Sequence, residues 1–361
     1  MARLARADVF DPGEVSVFHC IHRCVRRCFL CGHDAESGRD YEHRKAWLEG
    51  RLRFLAGCFG IDVLGFAILS NHFHVILRNR PDVVQMWSDA EVARRWLLLC
   101  PVRKTPDGEP EEPTDAEIAA LTGLPEKLAE IRLRLSDISW FMKLAAEPIA
   151  RRANREDRVT GHFWEGRFRS VKLCDEAAIL ACGVYVDLNV IRAGLAQTPE
   201  ESDFTSAQRR IEALAGQGDE ACEEPRATSE SSPAASPDDW LAPLPLDESS
   251  ASPGPAPSEC PARCSDRGFL PMSLEDYLDL LDWTGRQFAC DKHGAIPPHL
   301  APILARLKIA EDNWLELAEN FGRLFQRVAG RPRSIARLRT RRGGVFRPGC
   351  ARLLGPVSQA S

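Results

Sequence analysis

The sequence lacks any run of about 18 apolar residues, the length that an α-helix needs to cross a membrane. Its first residues, Met1 to Asp8, also lack the apolar segment of a secretory signal peptide. The 13 cysteines are odd in number and follow no spacing that is typical of a disulfide scaffold. We therefore expect a cytoplasmic protein with reduced thiols and no contact with a membrane.

Acidic residues are absent from Phe321 to Ser361, a segment with 10 Arg, whereas residues 219–282 hold 15 Asp and Glu against 3 Arg. The net charge of −5 therefore hides an acidic block and a basic end. That net charge argues against a uniformly basic nucleic-acid-binding protein. The basic end is either a DNA-binding arm or a solubilising tail. If it is an arm, we hypothesise that the acidic block shields it until DNA displaces it.

Apolar periodicity predicts the order β-α-β-β-α-β-α before residue 216. The predicted elements are a strand at 15–25, a helix at 41–59, strands at 61–69 and 72–78, a helix at 127–154, a strand at 161–173 and a helix at 175–191. Ser70 and Asn71 supply the turn between the two adjacent strands. This order is typical of an α+β fold with helices on one face of an antiparallel sheet.

Composition divides the chain into four parts. Residues 1–216 form the predicted main domain, with an insertion loop at about 101–125. Residues 217–267 are rich in Ser, Pro and acid, which predicts a disordered linker. Helical periodicity returns at 268–329 and predicts a small helical C-terminal domain. Residues 330–361 form an Arg-rich tail.

The stretch ILSNHFHVIL, residues 68–77, reads as a buried strand that nevertheless carries two histidines. Side chains alternate along a strand, so His72 and His74 point to one face and Phe73 points to the other, into the core. Two imidazoles side by side form half of a metal site. Isolated core histidines are common, so the pair alone leaves both interpretations open.

A second segment, Gly183 to Gly194, places a tyrosine and an asparagine four residues apart on a predicted helix. Side chains with this spacing lie on one helix face, so Tyr185 and Asn189 offer a phenol and an amide oxygen to the same place. The alternative is that Tyr185 is a core aromatic residue and Asn189 a signal that ends the helix. This segment alone favours the alternative.

Together, SNHFHVILR and YVDLNVIRAGLA resemble the HUH single-tyrosine transposases, specifically the REP-associated tyrosine transposases. The segments GHFWEGRFRSVKL (161–173) and YEHRKAWLEGRL (41–52) also resemble this family, so the resemblance covers roughly residues 14–215. It implies a ferredoxin-like sheet. It also implies a substrate of single-stranded DNA, often folded into a hairpin, and either a monomer or a homodimer.

The resemblance further implies that His72, His74 and Asn189 hold Mg²⁺ or Mn²⁺, and that Tyr185 is the nucleophile. The product would be a 5′-phosphotyrosine intermediate. Only Tyr41 and Tyr277 compete with Tyr185, since the chain contains three tyrosines. Two alternatives stay open: a domesticated, non-cleaving regulatory protein that binds DNA hairpins, and a metal-binding protein unrelated to DNA.

Binding of single-stranded DNA needs cations for the phosphates and aromatic rings for unstacked bases. The candidates are Arg23, Arg26, Arg27, Arg151, Arg152, Arg155, Trp164, Arg167, Arg169, Lys172 and Arg192. For any one of these cations, a solvated surface charge is the alternative. Arg192 directly follows the tyrosine helix, so we expect it close to the attacked phosphate.

The N-terminal part contains Cys20, Cys24, Cys28 and Cys31 with two histidines among them, which invites a zinc interpretation. Their spacing does not form two Cys-x2-Cys knuckles. We therefore expect small buried hydrophobic residues and keep structural zinc as the alternative.

Overall fold

The computed structural model describes residues 11–25, 31–33, 38–106, 108–220, 236–246, 262–288, 299, 301–338 and 349–355. The strands are β1 (Ser16–Arg23), β2 (Ile61–Ile68), β3 (His72–Asn79), β4 (Arg169–Leu173) and β5 (Val328–Ala329). The helices are α1 (His43–Cys58), α2 (Pro81–Met86), α3 (Asp89–Leu99), α4 (Asp115–Thr122), α5 (Pro125–Leu135), α6 (Ile138–Glu156), α7 (Glu176–Asp187), α8 (Asn189–Arg192), α9 (Ser206–Glu220), α10 (Leu274–Phe288), α11 (Ala301–Arg306), α12 (Glu311–Leu324) and α13 (Pro332–Arg337), with a 3-10 helix at Gly349–Leu354. Within these ranges, no helix combines the length and the apolarity that crossing a membrane requires.

The five strands form one mixed sheet in the order β2-β3-β1-β4-β5. The first four are antiparallel to their neighbours, and the short β5 lies parallel to β4. Helix α1 connects β1 to β2, and α6 is the last helix before β4. The predicted α+β class and the predicted hairpin of β2 and β3 are therefore confirmed.

Both faces of the sheet are covered, whereas the sequence predicted helices on one face only. Phe18 and Phe73 belong to a core that includes apolar residues of α1 and α6. On the opposite face, Ile76 belongs to a second core with α7 and α12. Helix α7 is buried on nearly all sides, because it lies between the sheet and α12. The second layer requires the C-terminal residues, which the sequence pattern treats as a separate unit.

The predicted helix at 127–154 is two helices, α5 and α6. The helix is interrupted at Ser136. The carboxylate of Asp137 then caps α6 by accepting a hydrogen bond from the backbone N–H of Ser139 at 2.5 Å. Pro148 lies inside α6 and does not end it. The predicted insertion loop contains α4, which begins with a capping box at Thr114.

Part of the predicted disordered linker is ordered against β2. Trp240 is 1% exposed, and its ring centroid lies 5.0 Å from that of Phe66. The backbone N–H of Ala242 donates to the carbonyl of Val63 at 2.9 Å, along the outer edge of β2. The Ser, Pro and acid content of the whole segment masks the short apolar stretch around Trp240, and this is why the linker prediction was wrong here.

A second piece of the predicted linker, residues 262–267, docks at the buried carboxylate of Asp62. The hydroxyl of Ser265 donates to Asp62 at 2.7 Å, and the guanidinium of Arg78 donates to Asp62 at 2.7 Å and to the carbonyl of Gly268 at 2.9 Å. These bonds satisfy a carboxylate that burial would otherwise penalise. Residues 217–220 of the predicted linker continue helix α9, and the remaining residues, 221–235 and 247–261, lie outside the described residues.

The predicted C-terminal helical domain is helical but is not a separate unit. The hydroxyl of Tyr277 in α10 donates to the carboxylate of Asp187 in α7 at 2.6 Å, and both groups are buried. Phe321 of α12 belongs to the same core as α7. The predicted tail is also partly ordered, since the backbone N–H of Arg331 donates to Asp175 at 2.7 Å.

We expect Trp240→Ala to lower the free energy of unfolding by about 3–5 kcal/mol, because the change leaves a large cavity against β2. Urea unfolding measures the effect. As a control, Met86→Ala removes a side chain that is 60% exposed and should change stability by less than about 0.5 kcal/mol. Equal stability of the two variants would show that residues 236–246 do not pack on β2.

Candidate active site

The pairing of β1 with β3 and β4 gathers polar side chains on the sheet face that α7 covers. Ile21 of β1 lies opposite His74 of β3 and opposite Arg169 of β4. Arg23 lies opposite His72 in the same way. Directly opposite residues share a face, so two histidines and two arginines from three strands project to one side of the sheet.

The two predicted histidines are adjacent, and each uses Nδ1 in a hydrogen bond. Their ring centroids are 4.9 Å apart. Nδ1 of His72 donates to Oδ1 of Asn71 at 2.6 Å, and Nδ1 of His74 lies 2.8 Å from Nε2 of His19. In each ring Nε2 is therefore the nitrogen left to face the site. Histidine ligands of metal ions are typically held in this way, through a hydrogen bond on the other nitrogen.

Burial keeps these imidazoles neutral. It lowers the pKa of His72 to about 4, with a further contribution from the positive charge of Arg23. Burial and Arg169 lower the pKa of His19 to about 3. Burial also holds the pKa of His74 well below its usual range. Neutral imidazole is the form that binds a metal ion, so all three rings are in the required form at neutral pH.

Helices α7 and α8 bring the tyrosine and the asparagine to the histidines. The carboxylate of Asp175 caps α7 by accepting a hydrogen bond from the backbone N–H of Ala178 at 3.0 Å. The Tyr185 and His74 ring centroids lie 5.7 Å apart. The side-chain nitrogen of Asn189 lies 3.3 Å from Nε2 of His74. The four predicted site residues therefore converge from one strand and two successive helices.

The donor set fits a divalent cation. His72 and His74 offer imidazole nitrogens, and a half-turn of the Asn189 amide presents its oxygen where its nitrogen now contacts His74. Imidazole and amide donors suit Mn²⁺ better than Mg²⁺, which prefers an all-oxygen shell. Among the described residues, no cluster of three or more His, Cys, Asp or Glu could hold a metal, so the third protein ligand would be the amide.

The predicted cysteine cluster includes three residues that the structure describes. Cys20, Cys24 and Cys31 are buried, which agrees with small hydrophobic residues. Cys28 lies outside the described residues, so the zinc alternative is untested at that position.

Helix α12 packs against the candidate nucleophile. Tyr185 is half-buried, and its ring centroid lies 6.0 Å from that of Phe321. A Cβ at Gly322 would lie 2.6 Å from the phenol oxygen, so only glycine permits this close approach. The guanidinium of Arg192 lies 4.8 Å from the ring centroid of Tyr185, which is cation–π distance. No sequence pattern indicated the position of α12, because it depends on contacts between distant parts of the chain.

The predicted DNA-binding arginines divide into two groups. Arg23, Arg169 and Arg192 are exposed and lie close enough to the histidines to lower their pKa values. Arg167 is exposed just before β4. The other group comprises Arg151, Arg152 and Arg155. These three residues lie at the C-terminal end of α6, on the opposite side of the sheet. Arg26 and Arg27 lie outside the described residues.

Trp164 and Lys172 do not join the site. The Trp164 ring is 9% exposed, stacks on His22 at 4.3 Å between centroids and donates to the carbonyl of Ala146 at 2.9 Å. It is a core residue, and stacking of a DNA base on it is not supported. Lys172 is buried and lies three residues after Arg169, so strand alternation places the two on opposite faces.

No family profile and no curated protein matches the sequence. Among solved structures, the chain is similar to a REP-associated tyrosine transposase bound to a REP hairpin, with 11% sequence identity and a TM-score of 0.35. The similarity covers 64% of this chain and 96% of that chain. A likeness of this size carries no weight for function, and the α+β fold stands on the sheet and helices described above.

Proposed function

We propose that the protein is a metal-dependent, single-tyrosine DNA transposase or strand transferase that acts on single-stranded DNA hairpins. The observation that carries this proposal is the convergence of His72, His74, Asn189 and Tyr185 at one place on the sheet. Neutral imidazoles beside a phenol, ringed by exposed arginines, suit the transfer of a phosphodiester to tyrosine.

His72, His74 and Asn189 would hold Mn²⁺ or Mg²⁺. When bound, such a cation withdraws charge from a scissile phosphate and orients it. Burial of His74 at 2% exposure fixes the direction in which its Nε2 points. The tyrosine and the histidines belong to one chain, so we propose that a monomer forms the complete site.

Tyr185 would supply the attacking oxygen. Its Oη forms a bond to phosphorus, and the bond from phosphorus to the 3′-oxygen breaks. The phenol proton passes to solvent, and the 3′-oxygen takes up a proton to become a hydroxyl. The product is a 5′-phosphotyrosine bond, and attack by a 3′-hydroxyl on that bond reverses the step and joins the strands without ATP.

Arg23, Arg169 and Arg192 would bind phosphates of the DNA strand. These guanidiniums surround neutral imidazoles, so the site carries positive charge before any cation arrives. A divalent cation should consequently bind more tightly once an anionic phosphate is present.

A second candidate function is hairpin binding without cleavage. The packing of Phe321 and Gly322 against the Tyr185 ring favours it, because the phenol is half-buried. Such a protein would regulate through DNA binding and would leave the strand intact.

The two functions differ in one product. A pool of single-stranded hairpin oligonucleotides is first enriched for binding to the protein and then incubated with it and Mn²⁺. We expect a covalent protein–DNA adduct on a denaturing gel, absent when a chelator replaces Mn²⁺. Tight binding of the enriched hairpins without any adduct would contradict cleavage and support the regulatory function.

A further inference from the structure

His19 is a fully buried histidine that contacts both the predicted metal ligand His74 and the candidate nucleophile Tyr185. Its Nε2 lies 2.8 Å from Nδ1 of His74, and the two rings are stacked with centroids 5.1 Å apart. Its ring also contacts the candidate nucleophile, since the Tyr185 ring meets it edge-on at 6.0 Å. His19 has no role in the chemical steps proposed for Tyr185.

We propose that His19 is a positioning residue whose Nε2 accepts the Nδ1 proton of His74, so that the Nε2 lone pair of His74 faces the cation. This inference rests on the proposed function, because it assumes a cation at His72, His74 and Asn189. In the sequence, His19 is only one of the two histidines in the cysteine-rich N-terminal segment. No local pattern shows that it lies next to His74 of β3.

The chemistry of imidazole requires such an acceptor. A neutral histidine that holds a cation through Nε2 carries its proton on Nδ1, and a buried N–H needs a hydrogen-bond partner. His72 has this partner in Oδ1 of Asn71 at 2.6 Å. For His74, the acceptor of the Nδ1 proton is Nε2 of His19. Each histidine ligand thus has its own acceptor.

Packing alone does not account for an imidazole at this position. Nδ1 of His19 is buried and has no hydrogen-bond partner among the described residues. A buried polar atom without a partner is destabilising, and a leucine at this position would avoid that loss of stability. The compensating interaction is the one that Nε2 makes with His74. The role of His19 is therefore to orient His74 rather than to fill the core.

Mn²⁺ affinity tests this role without relying on activity. Each protein also carries Tyr185→Phe and is saturated with an enriched hairpin, so that no DNA is cleaved, and Mn²⁺ binding is titrated by electron paramagnetic resonance. We expect His19→Leu to weaken Mn²⁺ binding by about 10–100-fold, the range found for groups that orient metal ligands. His19→Gln should restore most of the affinity, because its amide reaches the position of Nε2.

Two further variants separate this role from a general loss of packing. His19→Asn keeps a polar amide but ends at the position of Nδ1, so it should bind Mn²⁺ as weakly as His19→Leu. His22→Leu changes the other buried histidine of β1, which stacks on Trp164 on the opposite face, and should leave the affinity unchanged.

Equal Mn²⁺ affinity of His19→Leu and the parent would overturn the role of His19 and leave the proposed function intact. Equal weakening by His19→Gln and His19→Leu would also overturn it. Absence of Mn²⁺ binding by the parent with its histidines intact would instead overturn the metal centre itself, and the role of His19 with it.

Discussion

We expect Tyr185→Phe to abolish the covalent protein–DNA adduct and to leave hairpin binding close to that of the wild type. The substitution removes only Oη, the atom that would form the bond to phosphorus. The ring keeps its contacts with Phe321 and with the guanidinium of Arg192. DNA affinity comes mainly from cations that bind phosphates, and these are unchanged. Adduct formation is measured on denaturing gels, and binding is measured by fluorescence anisotropy of a labelled hairpin.

The other two tyrosines are matched controls for this result. Tyr41 lies beside the start of α1, and Tyr277 is buried with its hydroxyl on Asp187. Tyr41→Phe and Tyr277→Phe should both retain the adduct, although Tyr277→Phe leaves a buried carboxylate short of one donor and lowers stability. An adduct that persists in Tyr185→Phe contradicts the assignment of the nucleophile.

We expect His72→Ala and His74→Ala each to weaken Mn²⁺ binding by more than about 100-fold, since even groups that only orient metal ligands cost about 10–100-fold when removed. Asn189→Ala should act in the same direction. The titration uses the Tyr185→Phe background with a bound hairpin, because the surrounding arginines oppose a cation until a phosphate is present.

The control for the histidine substitutions is His43→Ala. His43 is exposed and pairs with Glu156 on α6, away from the candidate site. Its removal should leave Mn²⁺ affinity unchanged. Because His74 is buried, circular dichroism must first show that His74→Ala is folded. A folded His74→Ala variant that binds Mn²⁺ with the affinity of its parent contradicts the metal centre.

Local periodicity predicted the parts of the site that lie on single elements. The two-residue period of a strand placed His72 and His74 together and Phe73 in the core, and the structure agrees. The helical period predicted one helix for Tyr185 and Asn189, whereas the structure places them on two successive helices, α7 and α8, that both bring their side chains to His74. The succession of strands and helices also predicted the α+β class, because hairpins and connecting helices are local in the chain.

The features that sequence patterns missed depend on contacts between distant residues. His19 reaches His74 only through the register of β1 with β3, which no local pattern specifies. Phe321 reaches Tyr185 across more than a hundred residues of chain. The packing of Trp240 on β2 was missed because the residues around it are rich in Ser, Pro and acid. Lys172 was grouped with Arg169, although a three-residue separation on a strand puts the two on opposite faces.

Mass spectrometry can identify the residue to which the DNA becomes attached. The adduct from wild-type protein is digested with trypsin and a nuclease, and the modified peptide is sequenced by mass spectrometry. Cleavage after Lys172 and Arg192 releases a peptide, residues 173–192, with Tyr185 as its single tyrosine. We predict a 5′-nucleotide phosphate on that tyrosine. A nucleotide on any other residue, or hairpin DNA that is bound but never attached, would contradict the assignment of Tyr185 as the nucleophile.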